Sequence, residues 1–193
     1  NISGYHNVAV GFSAFPLETD FHNSIALGYL TRVHASYQAR IGNIDVTSIG
    51  GYANWTNVSD GRFKTDVNEN VPGMALVKRL RPVTYRLDMN ALAKWNQIPD
   101  SLRDKHSEAA KAAEVQIGFI AQEVEQAANQ IGFDFHAVDK PKNANDAYGL
   151  RYAEFVPVLV KALQEQQEIL RRQEEKIRAL EARLRQLENQ RQP

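Results

Sequence analysis

The chain reads as an α+β protein built from three consecutive regions, and three observations carry that reading. A short phrase closed by glycine recurs near the N-terminus. Strand-like and helix-like stretches then alternate through the middle. A heptad pattern finally runs almost to the last residue. The expected boundaries are 1–58, 59–152 and 153–193.

In the first region helix formers are few and Gly, Asn, Ser, Thr and Val are many. "HNVAVGF" (His6 to Phe12) is answered by "HNSIALGY" (His22 to Tyr29) with one residue inserted, and "ARIGN" and "TSIGG" echo them further on. Strands this short cannot bury a face alone, so they need stacked repeats or neighbouring chains. The pattern predicts a β-roll or an intertwined trimeric β-stalk, with His6 and His22 at equivalent repeat positions. A small two- or three-strand element of an ordinary domain is the plainer alternative.

The middle region reads as mixed α/β. "NVPGMALVKRLRPVTYRLD" predicts a short helix, with Pro72 at its first position and Pro82 ending it ahead of a strand. Asp100 is placed to cap a helix over Ser101 to about Ala113. "VQIGFIAQEVEQAANQIG" predicts a strand ending near Ile120 and a helix closed by Gly132. "FDFHAVD" alternates as a strand does, and "KPKNANDAYG" reads as a loop.

From Val156 the third region fits heptads. Val156, Leu163, Leu170, Ile177 and Leu184 take position a; Leu159, Gln166, Gln173, Leu180 and Leu187 take position d. Lys176 at g can meet Glu181 at e of a neighbour, and Arg183 can meet Glu188, which favours parallel strands. The expected interface is Leu163, Leu170, Ile177, Leu180, Leu184 and Leu187, in a parallel trimeric coiled coil. A lone solvated helix is the alternative.

Composition narrows the function. Lys plus Arg equals Asp plus Glu at 23 each, so the formal net charge is zero and no broad attraction to nucleic acid or anionic lipid is expected. With no cysteine there is no disulfide, thiolate zinc site or cysteine nucleophile. The longest apolar runs, such as "FVPVLV", fall short of a membrane span. No cofactor motif or metal-ligand spacing is seen among the five histidines. The chain starts at Asn1 without a signal-like segment and is expected to be the C-terminal part of something longer.

One polar stretch, "NVSDGRFKTDV" (Asn57 to Val67), raises a chemical question. Ser59 lies five residues before Lys64. A serine hydroxyl needs a base, and a lysine serves only when neutral, which requires its pKa to fall from about 10.4 toward 7–8. An odd offset puts the two side chains on opposite faces of a strand, so a turn at Asp60-Gly61-Arg62 must fold Lys64 back. Arg62 offers a nearby positive charge, and Trp55 and Phe63 a drier setting. By spacing alone a polar loop remains the simpler reading.

Four blocks add to this. "SDGRFKTDV", "ALVKRLRPVTYRLD", "IGFIAQEVE" and "YGLRYAEFVPVLVKALQEQ", in this order, resemble the intramolecular chaperone domain of endosialidases and other phage tail spikes and fibres, the S74 peptidases. Upstream, the two HN phrases resemble head repeats of trimeric autotransporter adhesins. The resemblance implies a homotrimer that folds its own preceding β-stalk and then cuts itself off. It places the scissile bond at Val58–Ser59, with Ser59 as nucleophile and Lys64 as general base. Asp60 and Arg62 would support that geometry, and Glu123 is a further candidate. The client would be the N-terminal stalk, with no nucleic acid or membrane insertion involved. The expected setting is a phage tail or a bacterial surface, with folding and processing in the producing cell's cytoplasm. A non-enzymatic trimerisation and anchoring module, with the Ser–Lys pair idle, is the competing reading.

Overall fold

The computed structural model describes residues 3–15 and 20–191. It is α+β, and its chain folds into two compact units interleaved along the sequence. One comprises 1–63, 82–120 and 139–149; the other comprises 64–81, 121–138 and 150–193.

The first unit opens with three three-residue strands, β1 (Val8–Val10), β2 (Ile25–Leu27) and β3 (Ala39–Ile41). They form a parallel ladder in that order, with Val8 opposite Ile25 and Ile25 opposite Ala39. Each echo is therefore one turn of a stacked repeat, except "TSIGG", which forms no strand. The closing glycines explain the punctuation. Gly11 and Gly28 both have φ +126°, and a Cβ on Gly11 would lie 2.4 Å from the Gly28 carbonyl oxygen. Successive turns touch there, and only glycine fits.

Alternation sorts the ladder's side chains. Ala26 points into a small core with Phe15 and Val33. Val8, Val10, Ile25 and Ile41 remain 40–60% exposed. Polar groups seal the turns. The buried Ser24 hydroxyl donates to the His22 carbonyl at 3.1 Å, and Asn7 bridges from the Phe21 carbonyl to the Ser24 N–H. The register corrects one expectation. His6 does not stack on His22, because the repeat step is Val8 to Ile25 and aligns Tyr5 with His22. Those two rings stack at 5.0 Å with a 9° interplanar angle, and His6 turns to φ +58°.

The unit continues with β4 (Val83–Tyr85) paired antiparallel to β5 (Gln116–Gly118), and with two helices between them, α2 (Met89–Trp95) and α3 (Lys105–Ala113). Sequence reading overlooked α2, whose N-cap Asp88 accepts from the Ala91 N–H at 2.9 Å. Asp100 starts only a short 3-10 turn; the cap of α3 is Asp104, which accepts from the His106 and Ser107 N–H groups. A nearly buried ion pair holds this end. Arg103 grips Glu108 with two hydrogen bonds, at 2.6 and 2.7 Å, and the guanidinium holds the Glu108 carboxyl below the usual carboxylate range.

The second unit contains α1 (Met74–Val77), α4 (Ala121–Asn129) and α5 (Phe155–Arg191). α1 packs on α5. The chain approaches closely at Gly73, where a Cβ would sit 2.7 Å from the Ala162 nitrogen. Glu165 on α5 accepts the Met74 N–H at 2.8 Å and so caps α1, while Pro72 lies before that helix rather than at its first position. α4 buries Val124, Ala127 and Ala128, an i, i+3, i+4 face. Phe135 meets the Phe155 ring edge-on at 5.0 Å. Only the last two residues of "FDFHAVD" are strand, in β6 (Val138–Asp139), which pairs with β7 (Gly149–Leu150). The 37 residues of α5 span about 55 Å. No helix among the described residues is long and apolar enough to cross a membrane.

Candidate functional site

The SDGRFK stretch is built on a turn that its own residues create. From Thr47 to Ser59 the backbone is exposed and without regular secondary structure. Gly61–Phe63 then forms one 3-10 turn, with the Phe63 N–H donating to the Asp60 carbonyl at 3.1 Å. Asp60 ties the turn off. One carboxylate oxygen accepts the Arg62 N–H at 2.9 Å; the other accepts two guanidinium hydrogens, from Nε at 2.9 Å and Nη2 at 2.6 Å. The fork-on-carboxylate geometry is specific for arginine. It holds the Asp60 carboxyl below its usual range, and Asp60 in turn raises Arg62. The guanidinium also lies 5.6 Å from the Phe63 ring centre.

The sequence candidates fall as follows. Val58 and Ser59 end the exposed irregular stretch, Asp60 and Arg62 close the turn, and Lys64 is the first residue after it. Ser59 lies in the first compact unit and Lys64 opens the second. The structure joins Asp60 to Arg62, so the arginine's charge is offset by its own neighbour. The drier setting expected from Trp55 and Phe63 is not supplied within one chain: the two rings are 79% and 73% exposed. Both flank the polar stretch from Thr56 to Arg62.

Glu123, at the start of α4, is held by Arg81, whose Nε donates at 3.0 Å and whose Nη2 reaches the second oxygen. This places the "RLRP" segment against α4 and keeps Glu123 ionised, its carboxyl lowered by that arginine. The coiled-coil candidates line one side of α5. Leu163, Leu170, Ile177, Leu180, Leu184 and Leu187 are all at least half exposed.

Sequence reading passed over a second cluster, in the first unit. Trp95 and Asn96 at the end of α2 meet His34, and Asp146 meets Gln38. The signal available was the Asp88 cap followed by Leu92 and Trp95 at helical spacing; without it the Trp95-Asn96 pair reads as loop.

A comparison with known families finds a match to part of the chain. The family model described as chaperone of endosialidase, Peptidase S74, matches residues 59–133. No curated protein matches the chain. The matched segment starts on Ser59, runs through the Asp60–Arg62 turn, Gly73, the Arg81–Glu123 pair and α4, and ends one residue beyond Gly132. Residues 59–133 of this chain are thus similar to the chaperone-of-endosialidase domain of the Peptidase S74 family, which supports the resemblance read from the sequence.

Proposed function

We propose that this chain is an intramolecular chaperone which trimerises, guides the preceding β-repeats into a stalk and then cuts itself free at Val58–Ser59. The observation that carries the reading is the family match beginning on Ser59, at the edge of a turn locked by Asp60 and Arg62. The proposed domains are the end of the client stalk at 1–58, the chaperone and autoprotease at 59–152, and the assembly helix at 153–193.

Two features support assembly from three chains. The α5 seam leaves six large aliphatic side chains half exposed or more over seven turns, and the ladder leaves an apolar strip of Val8, Val10, Ile25 and Ile41 uncovered. Burying such side chains is worth about 1.5–3 kcal/mol each, so partners are strongly favoured. A preformed trimer also raises the chains' effective concentration and lowers the entropic barrier to threading three strands into one stalk. Heptads with charged g and e positions suit a parallel arrangement. The same partners would cover Trp55 and Phe63 and dry the surroundings of Lys64, so cutting would follow correct assembly.

In the proposed reaction the Ser59 hydroxyl oxygen attacks the Val58 carbonyl carbon, and its proton passes to a neutral Lys64 amine. The tetrahedral intermediate expels the Ser59 α-amine, which takes that proton back. This leaves an ester joining the Val58 acyl group to the Ser59 oxygen. Water then hydrolyses the ester, releasing the Val58 carboxylate and regenerating the hydroxyl. Nucleophile and scissile bond are adjacent in the chain, so no substrate pocket is needed. The fibre's setting would be a phage tail or a bacterial surface, with processing in the producing cell.

Intact mass and denaturing electrophoresis of freshly purified protein test the proposal. Fragments 1–58 and 59–193 are expected from the wild type. Ser59→Ala should abolish them, and Lys64→Ala should slow their appearance by about 10²-fold or more. Fragments that persist in Ser59→Ala, or an uncut wild-type trimer, would leave the domain an assembly module alone.

A further inference from the structure

The first compact unit mixes the N-terminal repeats with residues 82–120 and 139–149 of the segment that follows the proposed cut. The two are joined by a specific polar joint centred on the third repeat turn, Arg32 to Gln38. His34 stacks on Trp95, with ring centres 3.8 Å apart and 24° between planes. Its Nε2 lies 3.2 Å from Asn96 Oδ1. Asn96 Nδ2 donates to the Leu92 carbonyl, so Oδ1 is the acceptor and the His34 proton sits on Nε2. Asn96 is buried, and its own carbonyl accepts from Arg32 Nε at 3.3 Å.

The loop after β6 grips the same turn from another direction. Asn143 Nδ2 donates to the His34 carbonyl at 2.8 Å, and Gln38 Nε2 donates to Asp146 Oδ1 at 3.0 Å. That loop also braces the aromatic platform, since Trp95 Nε1 donates to the Asn145 carbonyl at 3.2 Å. Beside the stack lies a cleft of about 180 Å³ walled by both partners, Arg40 and Ile44 from the repeats and Leu92 from α2 among them. Pulling the two apart would leave Asn96 Oδ1 without its donor and expose one face of Trp95. By contrast, Thr47 to Ser59 is exposed throughout, so the covalent link contributes little to this packing.

We infer that the segment after the cut carries a docking surface for the Arg32–Gln38 turn, built on Trp95, Asn96, Asn143 and Asp146, and that this joint holds the chaperone on its client after the Val58–Ser59 bond is broken. The inference rests on the proposed cleavage only for the event that makes retention matter; the joint itself does not depend on it. Its role would be to keep the folded stalk end capped until another event removes the domain.

The test uses the full chain with a foreign protease recognition sequence inserted between Ile49 and Asn57, in a Ser59→Ala background, beside the wild type. After cutting, confirmed by mass, the N-terminal fragment is expected to co-elute with the C-terminal one on native size exclusion. Trp95→Ala with Asn96→Ala should release it at least about tenfold faster, and so should His34→Ala on the client side. Asp146→Ala, a surface-loop change, gives a milder release if the α2 variants do not fold. Prompt separation of the cut, otherwise unaltered protein, or undiminished retention in His34→Ala and Asp146→Ala, would overturn the inference. An uncut wild type would count against self-cleavage alone, because the inserted site still decides the joint.

Discussion

The N-terminal ladder and the C-terminal helix are both repeats, yet one makes part of its own core and the other makes almost none. In the ladder each turn lies on the next. Ala26, Val33, Thr31 and Ser24 are fully buried, and backbone N–H groups of one turn find carbonyls of the next, as Gly28 does with Val10 at 2.8 Å. In α5 burial ends with Ala162. From Leu163 on, every large aliphatic residue is exposed to a large degree. A helix satisfies its backbone internally and leaves its side chains to find a second layer; a coil of short strands supplies the second layer from its own next turn. In the proposed trimer the helix therefore leaves its whole apolar seam for other chains to cover, whereas the ladder leaves them only its outer strip.

The comparison can be broken most strongly at the helix. Leu180→Asp puts a charge into the α5 seam and is expected to convert the proposed trimer to monomer, read by light scattering, with the proposed processing at Val58–Ser59 lost. A monomeric variant that cuts itself at the wild-type rate would uncouple the two. A second, smaller effect sharpens the ladder side. Gly28→Val places a Cβ 3.2 Å from the Gly42 Cα at φ +126°, so the repeats should lose about 2 kcal/mol or more in a urea titration. The helical signal of α5 should remain, since its backbone bonds are its own.

The smallest effect concerns pH. Burial is the main cause lowering His34 below an ordinary histidine; Arg40 and Arg32 add to this, and the Asn96 hydrogen bond and Asp146 oppose it. The docked ring therefore prefers to be neutral. Docking should be strongest above about pH 6.5 and weaken as pH falls through that value toward the depressed one, because the undocked state then binds more protons. Retention of the cut fragment at pH 8 and pH 5.5, compared with His34→Gln, checks the direction.

Much of this fold is legible in the sequence. Glycine-closed phrases marked the turns of the ladder because a positive φ and a close approach admit little else. The heptads of α5, the α4 face and the Asp60-Gly61-Arg62 turn were equally readable, each being a local pattern of period or turn chemistry. Misreadings arose where two local signals competed. Asp100 and Asp104 both precede the same helix, and only the Arg103–Glu108 pair, reaching across a turn, decides which one caps it. His6 and His22 match by eye in the sequence, but the inserted residue shifts the hydrogen-bond register and brings Tyr5 onto His22.

Sequence alone was enough to specify the α+β class, the stacked strands, the long terminal helix and the serine-bearing turn, since all of them follow from interactions among residues close in the chain. Only the tertiary structure decided that α2 and the 139–149 loop fold with the repeats, and that Trp95 and Asn96 receive His34. Those partners lie some sixty residues apart or more, and pairing at that range is set by shape and by which buried polar groups find each other, a choice that no local pattern encodes.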